Sequence, residues 1–411
     1  MKANGAPIDV IRNWLLGDAI TGELSTIVEG LGYRLLKYGV PVHRLTVNFG
    51  LINPSLLAAG LIWRPGRPID FVRYDYANRD SGMYERSPFK LAEKEGRRIS
   101  IDVAATPDDA FGVIPELKAE GLCHYAVFPL RNSVGTNMYL TIATRDAADF
   151  TPAQYDLLDA LSPAIVAMLE IKTLRFTLRD VLGAYVGRAA AREIVQGTVH
   201  RGQVTAMRAA ILVADLRRFT QLSTELPPEA TADLINRYYD MVVPAIEAGG
   251  GEVLKFIGDA VLAVFPVNGN NDATATLAAL DAARAALAAN DGPFEVNGRE
   301  LAITFGIALH IGEAVYGNVG SGNRLDFTVI GRDVNIAARI GTLCSRLGRN
   351  FLVSAAVADI ARAHGQPMTD AGAHAVRGLD RPLTVFVPGD GPLDPETDDG
   401  VSQGLVFVAP E

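Results

Sequence analysis

The sequence predicts two fold classes in one chain: an α+β domain before residue 150 and an α/β domain after residue 200. Three observations carry this. Helix, strands, helix, two strands and helix follow one another over 8–160, an order that sets helices beside an antiparallel sheet. Near residue 205 the texture changes to strand, helix, hairpin, helix, strands, helix and strand, the pattern of a mixed sheet covered by helices. The chain has 411 residues, 49% of them hydrophobic, which is enough for two or three cores at roughly 100–200 residues each.

Residues 8–38 read as one amphipathic helix, with Ile11, Trp14, Leu15, Ile20, Leu24, Ile27, Leu31 and Leu35 on its apolar side. Strands are expected at 44–51, 57–64 and 69–75. The stretch 79–111 reads as irregular and charged. A helix at 112–120 precedes strands at 122–129 and 137–144. Thr151 followed by Pro152 is a helix start, with a hydroxyl cap and proline in the first turn.

The helix that begins there runs on through Leu158, Leu161, Ile165, Met168, Leu174, Leu178, Val181 and Tyr185 at three- and four-residue spacing, with Pro163 a place for a kink. So long a stripe predicts a parallel dimer helix joining two domains; a helical hairpin packed on one domain is the alternative. The expected organisation is a regulatory domain over 1–150, a helical linker over 151–200, a catalytic domain over 201–388 and a flexible acidic tail over 389–411.

In the second domain, 209–215 is an apolar strand ending in an acid and 228–248 a helix. Residues 250–266 form two apolar strands around a Gly-Asp turn, and 273–289 an Ala-rich helix. Strands at 303–315 and 325–331, a helix at 333–344 and strands at 351–357 and 383–388 complete it.

Composition excludes several classes. Lys plus Arg is 38 and Asp plus Glu 47, a net charge of −9, so the chain has no bulk attraction for nucleic acid or anionic lipid. Two cysteines, Cys123 and Cys344, make neither a disulfide framework nor a zinc set. Residues 1–10 lack the apolar centre of a signal peptide, and no apolar run nears the ~18 residues of a membrane span. The expectation is a cytoplasmic protein with no membrane or nucleic-acid partner.

Chemistry gathers in the second domain. Asp215 ends one apolar strand and Asp259 sits in the hairpin turn; carboxylates leaving adjacent strands can converge on a hard cation, and two such ions suit in-line attack at phosphorus. Asn335 and Arg339, four apart, share one helix face. Seven of the basic residues are lysine, and Lys255 is the one lysine after Lys172. An ammonium is a compact point charge where guanidinium is a wide fork, so this position calls for a point donor. Taken singly, each of these residues also reads as a cap, a turn residue or a solvated face.

The blocks VADLRRFTQL, GGEVLKFIGDAVLAVF, GIALHIGEAVYGNVG and LDFTVIGRDVNIAARI, in this order over about 180 residues, resemble the signature blocks of class III nucleotidyl cyclases. The resemblance implies a ferredoxin-like, palm-type core and conversion of ATP to 3′,5′-cyclic AMP and pyrophosphate, in a homodimer whose sites form at the subunit interface. By the motif, Asp215 and Asp259 hold two Mg²⁺ or Mn²⁺ ions with the carbonyl of Leu216. Lys255 and Thr328 read the base, and Asn335 and Arg339 stabilise the transition state, all four from the opposite subunit. Phe219, Thr220 and Arg377 meet the phosphates.

Lysine donates to adenine N1 and threonine accepts from the exocyclic amine, whereas guanine would call for glutamate at 255. Arg218 departs from the family, standing where glycine is usual. His310 reads as a packing or hydrogen-bonding residue. The first domain resembles a GAF-type sensor in element order, with a small-molecule ligand as its implied partner. His43, His124 and Cys123 are weak haem, bilin or redox candidates. A guanylate cyclase and a catalytically silent cyclase fold stay open as alternatives.

Overall fold

A computed structural model describes residues 6–389 apart from 54–55, 77–81, 134, 136, 198–199, 270, 290–291, 297–298 and 323. The tail expected from 389 onward thus lies, beyond its first residue, outside the described residues. The chain divides into two compact units, 1–181 and 182–411.

The N-terminal unit opens with α1 (Pro7–Leu16), a 3-10 turn at Asp18–Thr21 and α2 (Leu24–Lys37). The single helix expected over 8–38 is therefore two. Gly17 and Gly22 supply the breaks, glycine being the poorest helix former after proline. Six strands form one antiparallel sheet: β1 (Arg44–Gly50), β2 (Leu56–Trp63), β3 (Asp70–Asp75), β4 (Ile99–Asp102), β5 (His124–Arg131) and β6 (Asn137–Thr144), in the order β3-β2-β1-β6-β5-β4. Helices α3 (Pro88–Glu95) and α4 (Ile114–Ala119) lie between strands in sequence. The stretch read as irregular holds α3 and β4. Its start was marked all along: Ser87 caps the helix, Pro88 takes the first turn, and Gly96 closes it in the left-handed conformation.

One sheet face carries Leu45, Val47, Leu61, Trp63, Phe128 and Leu140, packed under α1, α2 and the first half of α5 (Pro152–Val186). The other carries Ile99, Ile101, Tyr125 and Val127 under α3 and α4. Buried Arg44 leaves that second face to pair with Glu116 of α4 at 2.9 Å and with Glu120, the residue that follows α4, at 3.0 Å. Helix α5 runs unbroken through Pro163, and Leu158, Leu161, Ile165, Met168 and Leu169 belong to the N-terminal core. The first half of the expected linker is thus part of that unit's core.

The C-terminal unit follows with α6 (Arg188–Val195), β7 (Val204–Leu216), α7 (Phe219–Glu225), α8 (Pro228–Ala248), β8 (Glu252–Ile257) and β9 (Ala260–Pro266). Next come α9 (Asp272–Ala288), β10 (Phe294–Val296), β11 (Arg299–Leu301), β12 (Phe305–Ser321), β13 (Arg324–Ile330) and α10 (Arg332–Arg346). The unit ends with β14 (Phe351–Ser354), α11 (Ala355–Ala363), β15 (Met368–His374) and β16 (Leu383–Pro388). The strand expected at 351–357 stops at Ser354, whose hydroxyl accepts from Val357 N–H and starts α11.

The main sheet has the order β15-β16-β14-β12-β7-β9-β8, with β13 also on β12. Only β12 with β14 is a parallel pair, so the sheet is mixed, as expected. Leu212, Ala214, Ala263, Ile307 and Leu309 face α8, α9 and α11; Ile211, Val213, Leu262 and Ala308 face α10. From Ala209 to Ala214 β7 is buried, with helices over both faces.

In the N-terminal unit Gly32 of α2 lies close over fully buried Trp63: a Cβ at 32 would stand 2.4 Å from the indole. Gly32→Ala should destabilise that unit by about 1–3 kcal/mol, read by urea melts, because neither helix nor ring can yield without repacking. A neutral or stabilising alanine would show that the helix rides higher than described.

Candidate functional site

Asp215 occupies the second-last position of β7, opposite Ala260 of β9, and the turn joining β8 to β9 is Gly258-Asp259. Strand adjacency alone therefore brings the two carboxylates to one place. They stand within hydrogen-bond reach, half-buried, and the Asp259 charge makes ionising Asp215 costlier. Burial, then the Asp259 charge, pushes Asp215 up to about 7, and burial raises Asp259 as well. Two carboxylates that resist ionising side by side are a donor set for a hard divalent cation, whose charge removes both penalties. Leu216, next in the chain to Asp215, anchors the strand end in the core.

The turn is held from outside the hairpin. Tyr239 of α8 donates its hydroxyl to the carbonyl of Gly258 at 2.8 Å, and its ring lies against Phe256 with centroids 4.3 Å apart. Arg217 donates its backbone N–H to Thr304 at 2.8 Å and its guanidinium to the carbonyls of Cys344 and Arg349 at 3.2 and 2.5 Å. Neither Tyr239 nor Arg217 was anticipated from the sequence. Tyr239 acts from a helix 20 residues before Asp259 with no motif to mark it; Arg217, two residues after Asp215, was in plain view.

Arg218 has φ 58° and ψ 21° at the start of α7, and is the one non-glycine residue with positive φ among the described residues. This explains why a glycine suits the position. Its guanidinium donates to Gln221 Oε1 at 3.0–3.1 Å. Phe219 and Thr220 begin α7; Phe219 packs on the core and Thr220 is exposed.

Lys255, on edge strand β8, forms an ion pair with Asp326 of β13. The long β12 makes this meeting: its first residues pair with β14 and β7, and its last residues carry β13 over to β8. Lys255, Asp326, Gly320, Ser321 and Arg324 line a cavity of about 470 Å³, within the range of small-molecule sites. Thr328 is half-buried two residues from Asp326, on the same strand face. Asp326 was missed by sequence reasoning, although its place two positions before Thr328 was the available signal.

Asn335 is exposed and Arg339 half-buried on α10, whose Val334, Ala337, Ile340 and Leu343 are buried against the sheet. Among the described residues neither side chain makes a hydrogen bond or an ion pair, so both are free to engage a ligand. Arg377 is exposed in the turn between β15 and β16. The structure thus brings together Asp215 with Asp259, and Lys255 with the strand of Thr328; Arg377 joins neither group by any contact.

The other candidates are committed elsewhere. His43 Nδ1 meets the carbonyl of Pro41 and the N–H of Arg145, and His124 meets the carbonyl of Ala147. His310 meets Ser354 Oγ at 2.8 Å, the hydrogen-bonding role expected of it. No group of three or more His, Cys, Asp or Glu side chains forms a further metal cluster among the described residues. No helix among them is long and apolar enough to cross a membrane.

Residues 203–389 match the family model of the adenylate and guanylate cyclase catalytic domain. By that match the segment is similar to a cyclase catalytic domain. The adenylate cyclase of Anabaena cylindrica is 36% identical over 188 residues, 45% of this chain and 37% of that relative. An uncharacterized protein of Mycobacterium tuberculosis is 32% identical over 223 residues, 52% of this chain and 39% of that one. The chain thus spans about two fifths of the length of these curated relatives. Among solved structures, a bacterial light-regulated adenylyl cyclase is 27% identical, covering 45% of this chain and 91% of its own, with a TM-score of 0.39.

Between the ordinary Asp value of 3.8 and about 7, folded Asp215 keeps a proton that the unfolded chain has released. Metal-free stability therefore falls as pH rises across that window. At pH 8 in chelator, Asp259→Asn should raise the melting temperature by about 2–4 °C and abolish the further rise that Mn²⁺ gives the parent. A lower melting temperature with the Mn²⁺ response intact would remove the pair as a cation site. Arg218→Gly should stabilise the unit by ~0.5–1 kcal/mol in urea melts by relieving the left-handed backbone; destabilisation would mean that the Gln221 contact outweighs the strain.

Proposed function

We propose that the chain is an adenylate cyclase, converting ATP to 3′,5′-cyclic AMP and pyrophosphate, that works as a homodimer under control of its GAF-like N-terminal unit. The observation that carries the reading is the Asp215–Asp259 carboxylate pair within the segment that matches the cyclase catalytic domain, with an ammonium, not a carboxylate, at position 255. The adenylate cyclase named among the relatives supports the same nucleotide.

Asp215, Asp259 and the carbonyl of Leu216 would hold a pair of Mg²⁺ or Mn²⁺ ions. Such cations, when bound, lower the pKa of the ribose 3′-hydroxyl and balance the phosphate charge. The remaining work falls to the chain. Lys255 has three donors; one is spent on Asp326, and another can meet adenine N1, an acceptor. Thr328 Oγ accepts from the exocyclic amine. Guanine offers a donor at N1, which the Lys255 ammonium, a donor only, cannot meet; the Thr328 hydroxyl can turn to donate to O6, so the discrimination falls on Lys255. Asn335 orients the ribose, and Arg339 neutralises charge that grows on the α-phosphate as the 3′-oxygen attacks and pyrophosphate leaves. Phe219 and Thr220 at the start of α7, with Arg377, meet the β- and γ-phosphates.

The dimer is supported by α5. Ile171, Leu174, Leu178 and Tyr185 are exposed at spacings of three, four and seven, with Val181 between, the heptad seam of a two-helix coil. The N-terminal unit's antiparallel sheet, helices on both faces, supports the sensor reading.

Purified protein incubated with Mn²⁺ or Mg²⁺ and labelled ATP or GTP should yield cyclic AMP from ATP and little product from GTP. Lys255→Glu should lose ATP turnover by at least about 100-fold. Asp259→Ala and Arg339→Ala, each inactive, should recover up to half of parental activity when mixed, because one site of the mixed dimer is intact. GTP preference in the parent would replace this reading with a guanylate cyclase. No recovery on mixing, with subunit exchange verified, would place each site within one chain.

A further inference from the structure

Helix α10 starts without a side-chain cap, its N-cap being Gly331. The acid in its first turn, Asp333, is used differently. Its Oδ2 accepts from the backbone N–H of Glu313 on β12 at 2.6 Å. That N–H lies where β12 has parted from β14, after the Leu309–Val353 pair, and has not reached β13, which begins at Val315–Ile330. A strand N–H with no strand partner on that edge needs another acceptor, and Asp333 supplies it. The carboxylate fits because residue 312 is glycine: a Cβ there would stand 2.1 Å from Oδ2.

The contact continues beyond α10. Asp333 Oδ1 faces His310 Nε2 at 3.6 Å, His310 Nδ1 meets Ser354 Oγ at 2.8 Å, and Ser354 caps α11. At the other end of α10, Arg217 donates to the carbonyl of Cys344 in the last turn. The helix is therefore fastened at its start to β12 and at its finish to the end of β7. The Ser–His–Asp order is that of a nucleophilic triad, yet Ser354 is 2% exposed and its hydroxyl is committed to a helix cap, so no substrate carbon can reach it.

We propose that Asp333 is a positioning residue for the cyclisation reaction: it sets the axial and rotational placement of α10, and with it the places of Asn335 and Arg339. This rests on the reading of those two residues as groups that act on the transition state. They stand two and six residues beyond Asp333 on the same rigid helix, so slip at its first turn moves both. A displacement of about 1 Å in reacting geometry costs on the order of 100-fold in rate. Groups that act only in the transition state change kcat and leave KM alone.

The test is steady-state kinetics of the full chain with ATP and Mn²⁺, beside hydrogen exchange over 332–339. Asp333→Ala should lower kcat about 10- to 100-fold with KM within about twofold, and exchange over 332–339 should quicken. Asp333→Asn keeps an acceptor for the Glu313 N–H and should recover at least a third of kcat and the slow exchange. Gly312→Ala, which displaces the carboxylate without removing it, should reproduce the kcat loss and serves if Asp333→Ala does not fold. Parental kcat in Asp333→Ala or Gly312→Ala, or a fall in kcat with exchange unchanged, would overturn the positioning role. A parent chain that cyclises neither ATP nor GTP would instead refute the catalytic reading of α10, and exchange alone would then judge the clamp.

Discussion

Two carboxylates pressed together at the end of a buried strand are unfavourable, and much of the C-terminal unit is built to hold them there. Asp215 and Asp259 each lose hydration and face a like charge. Their meeting survives because β7 is paired on both edges, with β12 and with β9, and covered on both faces. The turn that carries Asp259 is braced by the Tyr239 hydroxyl on Gly258. Such a cost persists in a fold when a ligand repays it, and a divalent cation is the ligand that two carboxylates suit.

The same central strands serve as the reference frame for the other groups. Arg217 and Asp333 fasten the two ends of α10 to β7 and β12, so a helix packed only by small and aliphatic side chains gains fixed polar anchors. The curl of β12 carries β13 back to β8 and sets Asp326 against Lys255. Lys255 is a flexible four-carbon side chain, and pairing its ammonium with Asp326 restricts it.

The N-terminal unit follows a different logic. Its sheet is apolar on the face beneath α1, α2 and α5, whereas the opposite face mixes aliphatic packing with Arg44 and Arg64, both paired to Glu120. A guanidinium that is buried needs such a partner, and both find it in Glu120 at the C-terminal end of α4. The histidines of this unit meet backbone groups through one ring nitrogen each, Nδ1 of His43 and Nε2 of His124.

Much was legible in the sequence because it depends on neighbours in the chain. Period-two and period-four apolar patterns set the strands from β7 to β9 and helix α10, the Gly-Asp turn marked the hairpin, and a lone lysine marked position 255. Asp215, Asp259, Asn335 and Arg339 followed from four ordered motifs. Where local signals were overlooked, the reading failed: Gly17 and Gly22 split the first helix, and Ser87 and Ser354 start helices that had been read as loop and strand. What only the tertiary structure decided are the contacts across long separations. Asp326 lies 71 residues from Lys255, Asp333 lies 20 from Glu313, and Arg217 lies 127 from Cys344. One joins two side chains and two join a side chain to a backbone group, and each exists because the strand order of the sheet brings distant stretches of chain together. A sequence states which groups can donate or accept; the sheet's topology decides which of them meet.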